Sequence, residues 1–199
     1  SQTHPSRGVE EMNKMLMTAA ALGSALSMPL QAAEDPNAAE AKGIVKNFFT
    51  ELKGELEAAV KAGGPVSAIS VCQDRAPEIA AGLSEETGWE VGRTSLKTRN
   101  AELNAPDAWE RQVLMRFEER KAAGEDVKTM AFAEVVEEGG EESYRFMKAI
   151  PTGEICLACH GEHIDAEVAA AIDEAYPDDQ AKGFKLGDIR GAFTLAKPL

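Results

Sequence analysis

The sequence predicts an α+β domain, an antiparallel sheet with helices packed around it and a long helix at its N-terminal end. Three observations carry this. Apolar residues recur at helical spacing over residues 38–62. Strand-like segments gather later in the chain, two of them flanking a Gly-Gly turn. No regular alternation of strand and helix points to a parallel sheet, and no internal repeat or low-complexity linker divides the chain.

In the first helix Ile44, Phe48, Leu52, Leu56 and Val60 recur every four residues, and Val45 and Phe49 widen the stripe. Gly63-Gly64-Pro65 stops it. A second helix is expected over 66–84, interrupted near Pro77, whose ring removes a backbone donor. Gly88 marks a turn, and 89–96 reads as extended, with Val91 and Thr94 favouring a strand. Residues 100–106 read as a polar loop. Asp107 stands three residues before Glu110, a capping-box spacing, and opens a helix that reaches about Ala122. That helix should bury Trp109, Val113, Leu114 and Phe117, and Gly124 ends it. Segments 130–137 and 144–150 form a hairpin around Gly139-Gly140. Short helices follow over 154–160 and 165–175, then a loop over 176–179 and a last strand over 188–196.

A length of 199 residues suits one domain. Lys14, an apolar run over 15–30 and small residues at Ala32 and Ala33 read as a signal peptide with its cleavage site. The expected organisation is an upstream remnant or mis-called start over 1–11, a signal peptide over 12–33 and a single domain over 34–199, located in the periplasm. After signal cleavage no membrane span is expected. The formal net charge of -13 repels phosphate backbones and anionic membranes, so no nucleic acid is expected as a partner.

Chemistry concentrates in Cys156-Leu157-Ala158-Cys159-His160. Cys-x-x-Cys-His is the attachment signature of a c-type haem. Residues three apart share a helical face, so both thiols can reach the two vinyl groups on one porphyrin edge. His160 follows one step round the turn and is the expected proximal axial ligand. One covalent haem c is therefore expected. A redox dithiol would want a βαβ setting, and a zinc site would want a second ligand pair; neither is present in the sequence.

The opposite axial position is less determined. His4 precedes the signal segment, and His163 lies too near His160 in sequence to reach the other face. Met115, Met130 and Met147 are candidates, but each reads better as packing. Cys72 has no disulfide partner once the other two thiols are alkylated. It is either a buried spectator or an axial thiolate, which would stabilise ferric iron. Residue spacing alone leaves both open.

A longer set of segments narrows this. The stretches starting Val71-Cys72-Gln73-Asp74-Arg75-Ala76-Pro77, Gly88-Trp89-Glu90-Val91-Gly92-Arg93-Thr94 and Asn104-Ala105-Pro106-Asp107 recur in order with Met147-Lys148-Ala149-Ile150-Pro151, the haem motif with Gly161, and Gly187-Asp188-Ile189-Arg190-Gly191. In these the chain resembles the PAS-like c-type haem-binding family, long labelled a domain of unknown function, found alone or as the exported sensor part of histidine kinases and chemoreceptors. The resemblance spans about 39–199. It implies a PAS-like antiparallel sheet flanked by helices. It also implies His/Cys axial ligation, with His160 and Cys72 at the family's ligand positions.

Arg93, Lys97 and Arg99 form a basic cluster in an acidic chain, and Arg93 and Arg99 are expected to contact haem propionates through their forked guanidinium groups. Tyr144, Phe146 and Met147 could pack on the porphyrin or form ordinary core. Glu137, Glu138, Glu141 and Glu142 read as a solvated hairpin tip. No nucleophile–base pair, P-loop or dinucleotide fingerprint is present, so the chain is not expected to be an enzyme. A redox or small-ligand sensor is the expected function, with a soluble electron-transfer cytochrome as the alternative. The expected partner is a redox protein or a membrane signalling protein, and association into a homo-oligomer is left open.

Overall fold

The computed structural model of the chain describes residues 34–199. The expected upstream remnant, the signal peptide and His4 lie outside these residues. The described part forms one compact unit.

Helix α1, Pro36–Ser67, starts earlier than its apolar stripe suggests, because Asp35 caps it. The Asp35 carboxylate accepts the Asn37 N–H at 2.9 Å, and Pro36 occupies the first turn, where its missing donor costs nothing. The expected stop at Gly63 and Gly64 is a kink: both leave helical geometry, Gly64 with φ 75°, and one more turn follows. The chain then enters a π-helical turn, Val71–Arg75, and continues as α2, Ala76–Thr87. Pro77 explains this interruption. It has no N–H for the Gln73 carbonyl, and its ring crowds that carbonyl. The preceding turn widens, and the Ala76 N–H bonds Val71 O, five residues back.

Strand β1 is Glu90–Thr94. The expected loop after it contains a one-turn helix, α3, Ala101–Asn104, which Asn100 caps by accepting the Leu103 N–H at 3.2 Å. Such a short element leaves no periodicity to read. Helix α4, Ala108–Ala122, has the expected capping box, closed from both sides. Strands β2, Ala131–Glu138, and β3, Glu141–Pro151, make the hairpin, with its four glutamates exposed at the tip. Helices α5, Glu154–His160, and α6, Ala166–Ala175, precede β4, Ile189–Pro198.

The sheet is antiparallel throughout, in the order β1-β4-β3-β2. The last strand thus sits in the middle, and two hydrophobic layers form on its faces. On one face Ile44, Val45 and Phe48 of α1 pack with Trp89, Phe146, Phe193 and Leu195; the Phe48 and Phe193 rings lie 5.1 Å apart. On the other, Val113, Leu114 and Phe117 of α4 pack with Met130, Met147 and Ala192. Each large apolar side chain buried this way contributes on the order of 2 kcal/mol. Met130, Met147, Tyr144 and Phe146 are therefore core residues, and Met115 is exposed on α4. The α+β architecture read from the sequence is the one the chain adopts. Among the described residues no helix is long and apolar enough to cross a membrane.

Candidate functional site

The apolar stripe of α1 is longer than the sheet it covers. Its first part, through Phe48, is buried on the sheet, whereas Phe49, Leu52 and Leu56 continue over a cavity of about 330 Å³. Phe193 and Ile150 supply sheet-side apolar walls, and Cys72, Cys156, Cys159 and His160 line the same space. None of its lining residues is a methionine or an acid. An apolar pocket with a few convergent reactive groups is the usual form of a ligand site.

Cys156, Cys159 and His160 come from α5. Gly161 terminates it, donating its N–H to Leu157 O at 3.0 Å. A Cβ on Gly161 would stand 2.5 Å from that same carbonyl oxygen, so the residue after the histidine must be glycine for the turn to close this tightly.

A strap over residues 179–184 holds the end of this helix. The Phe184 and Gly183 amides donate to His160 O at 2.9 Å and Gly161 O at 3.0 Å. His160 Nδ1 lies 2.8 Å from Ala181 O. A carbonyl only accepts, so Nδ1 carries the proton and Nε2 keeps its lone pair for a metal. Burial, then the cations Arg190 and Arg99, hold the imidazole well below its ordinary pKa, against the bond to Ala181. The ring is neutral at physiological pH.

The strap is itself braced. Asp179 Oδ1 accepts the Ala181 N–H at 2.9 Å. Arg99 donates from Nε and Nη2 to Asp179 at 3.1 Å each and from Nη2 to Cys159 O at 2.6 Å. Both side chains are buried, at 8% and 1% exposure. Arg99 lines the cavity, but most of its fork is committed to the strap and the helix.

Arg93 and Arg190 differ from it. Both line the cavity. Arg93 lies over the Phe48 ring at 5.8 Å. Burial pushes its pKa down, opposed by Cys72 and Tyr176. Arg190 lies over the Phe184 ring at 5.3 Å and reaches the Ser95 hydroxyl at 3.3 Å. Burial, with Arg99 and Arg93 nearby, brings its pKa down to about 10. Lys97, the third member of the expected basic cluster, turns away, over the Phe184 ring at 4.7 Å and onto the Lys182 carbonyl.

Cys72 sits in the π turn, half-buried. Turns of this type recur at functional sites, because they re-aim one side chain within a helix. Arg75 of the same turn holds Glu55 of α1 at 2.6–2.7 Å, which fixes the turn against the cavity roof. All three cysteines are free thiols among the described residues. Burial raises the Cys159 pKa, offset by Arg99. Among the described residues no group of three or more His, Cys, Asp or Glu forms a metal cage. His163 is exposed.

A comparison with protein families matches residues 9–198 to the Tll0287-like family, described as Tll0287. The chain belongs to the Tll0287-like family. Among solved structures, a crystal structure of the cyanobacterial heme-protein Tll0287 superposes with a TM-score of 0.63 at 24% identity, over 83% of this chain and 97% of that chain. At that identity the likeness speaks for the fold. No curated protein matches.

In this Tll0287-like chain the structure gathers Cys72, Cys156, Cys159, His160, Arg93 and Arg99 at one cavity, and His163, Lys97, Met115, Met130 and Met147 elsewhere. Sequence reasoning missed Arg190 and the Asp179 strap. Arg190 stands in a segment that carries the family resemblance, though without a role there, and its neighbour Gly191 is a second pointer, since a glycine inside a strand marks a close backbone approach. A Cβ there would meet Thr94 O at 2.4 Å.

Proposed function

We propose that the chain is an exported protein carrying one covalent haem c on Cys156 and Cys159, with His160 and Cys72 as axial ligands, and that it senses redox state or a small ligand. One observation carries this reading. Cys72, far upstream in sequence, lines the same apolar-walled cavity as the attachment motif. The donor set fits the group: two thiols three residues apart, a neutral imidazole with Nε2 available, and a thiol to become a thiolate. Membership of a family named for Tll0287, and a fold shared with a structure described as a heme-protein, support it further.

When bound, the haem would supply a one-electron iron couple. Cys156 and Cys159 would hold it through two thioether bonds, each thiol giving its sulfur and its hydrogen to one vinyl group. Ala181 orients the imidazole, and Phe49, Leu52 and Leu56 give the cavity an apolar wall. The π turn bearing Cys72 is the element whose contacts would change if the thiolate left the iron. A periplasmic redox protein or membrane signalling protein would read that change.

Electron paramagnetic resonance of the ferric holoprotein, produced in a host with cytochrome maturation machinery, tests the ligand set. A low-spin thiolate–imidazole spectrum is expected, lost in Cys72→Ala. An unchanged spectrum in that variant removes Cys72 from the iron, and colourless, iron-free protein ends the haem reading. Ligand replacement on reduction, or binding of carbon monoxide, is expected of the sensor. A fixed ligand set in both oxidation states with rapid exchange to a donor protein would make it an electron carrier instead.

A further inference from the structure

Resting on the haem reading, we infer that Arg93 and Arg190 seat the two haem propionates, and that Arg99, which lines the same cavity, does not. Charge and the occupancy of donors distinguish the three. Three guanidinium groups border the cavity, and no lining residue is acidic. The one buried carboxylate that approaches them, Asp179, is taken by Arg99 through two bonds at 3.1 Å. Another donor of Arg99 is spent on Cys159 O. Arg99 is therefore a positioning residue for the strap and the attachment helix.

Arg93 and Arg190 have no ion-pair partner among the described residues. The Arg93 guanidinium makes no hydrogen bond there; only the Phe48 ring lies against it. Arg190 makes two long ones, to the Ser95 hydroxyl at 3.3 Å and Lys97 O at 3.4 Å. Arginine does not shed its proton in a protein, so a sheltered guanidinium must find its counter-charge elsewhere. Two such groups call for two anionic groups on whatever fills the cavity. A porphyrin with two carboxylate arms has that charge, and a guanidinium fork matches a carboxylate bidentately.

Placement agrees. Arg93 is on β1 and Arg190 is the second residue of β4, the neighbouring strand in the sheet. Each is propped by an aromatic ring. The ring supports position the forks without engaging their N–H groups. Lys53 is a further cation at the cavity, but it stands exposed on α1, where water already solvates it.

The test uses holoprotein and two readouts, the propionate bending band in resonance Raman spectra and the midpoint potential. Arg93→Gln and Arg190→Gln are each expected to shift the band and to lower the midpoint, since an uncompensated propionate favours ferric iron. Arg93→Lys and Arg190→Lys keep the charge but lose the fork; the band should shift while the midpoint stays near wild type. Lys53→Gln should leave both unchanged. Wild-type bands and potentials in both glutamine variants overturn the assignment, as does a shift found in Lys53→Gln instead. If a glutamine variant yields no holoprotein, its lysine counterpart decides: a wild-type band there overturns the role of that arginine. Wild-type protein recovered without iron overturns the haem reading itself, before any arginine is changed.

Discussion

Arg99 and Asp179 are separated by 80 residues and meet out of water, so each is costly without the other. Asp179→Ala leaves a buried guanidinium unpaired and is expected to cost about 3–5 kcal/mol in chemical denaturation. Asp179→Asn, which retains an oxygen for the Ala181 amide, should cost less. Both should alter the ferric spectrum, because the Ala181 carbonyl that orients His160 is fixed through Asp179. A spectrum unchanged in both would show that the strap does not orient the imidazole. Legibility at this scale follows the chemistry. Cys156, Cys159 and His160, which line one cavity, stand out in the sequence because, on the haem reading, their spacing is itself what attachment would require. The work of Arg99 could not, since its partners are a distant carboxylate and the backbone carbonyls of Cys159 and Ala181, and carbonyls have no residue identity.

Among the elements, α5 is the one whose geometry depends on a single hydrogen. Gly161→Ala pushes a methyl against Leu157 O and should destabilise the fold by about 1–3 kcal/mol, the usual range for overpacking. It should also lower the yield of holoprotein relative to total chain, which pigment absorbance against protein mass measures. The π turn is open to a second test. Pro77→Ala restores an N–H at position 77, so the helix can close regularly through the turn. The expected outcome is an altered ferric spectrum as Cys72 re-aims, with the melting temperature little changed. The proline that breaks the helix was plain in the sequence. That the break widens rather than ends the helix was not, because a π turn and a bend both answer a missing donor. The roof of α1 was half legible. Its stripe could be counted, but where it leaves the sheet depends on how far β1 and β4 extend beneath it.

At the scale of the molecule, two layers of core stand on a sheet completed by the last strand, and the cavity opens beside one of them. A chain with Cys156→Ala and Cys159→Ala, unable to hold the group covalently, leaves Phe49, Leu52 and Leu56 facing an unfilled space. Its melting temperature should fall by roughly 2–4 °C for each kcal/mol of packing that the cavity walls forgo, as differential scanning calorimetry against the holoprotein would show. The ion pair of Lys121 and Asp188 ties α4 to the start of β4 at 2.6 Å. Burial pulls the Asp188 carboxyl upward, but the Lys121 bond and the Lys185 amide outweigh it and hold it below its ordinary range. A lowered folded value means that the contribution is present above the ordinary aspartate pKa and fades as pH falls through the lower one. Asp188→Asn should flatten that acid limb in pH-dependent unfolding and leave the slope near neutral pH unchanged.

The Arg99–Asp179 contact also dates the making of the site. It closes a loop spanning nearly half the described chain, and contacts of such separation come late, after nearer ones have cut the entropy of closure. Until they meet, the strap that bonds His160 and Gly161 lacks its brace, and α5 is not yet held by it. On the haem reading, attachment belongs to that interval, and closure of the strap afterwards seals what the maturation machinery has joined.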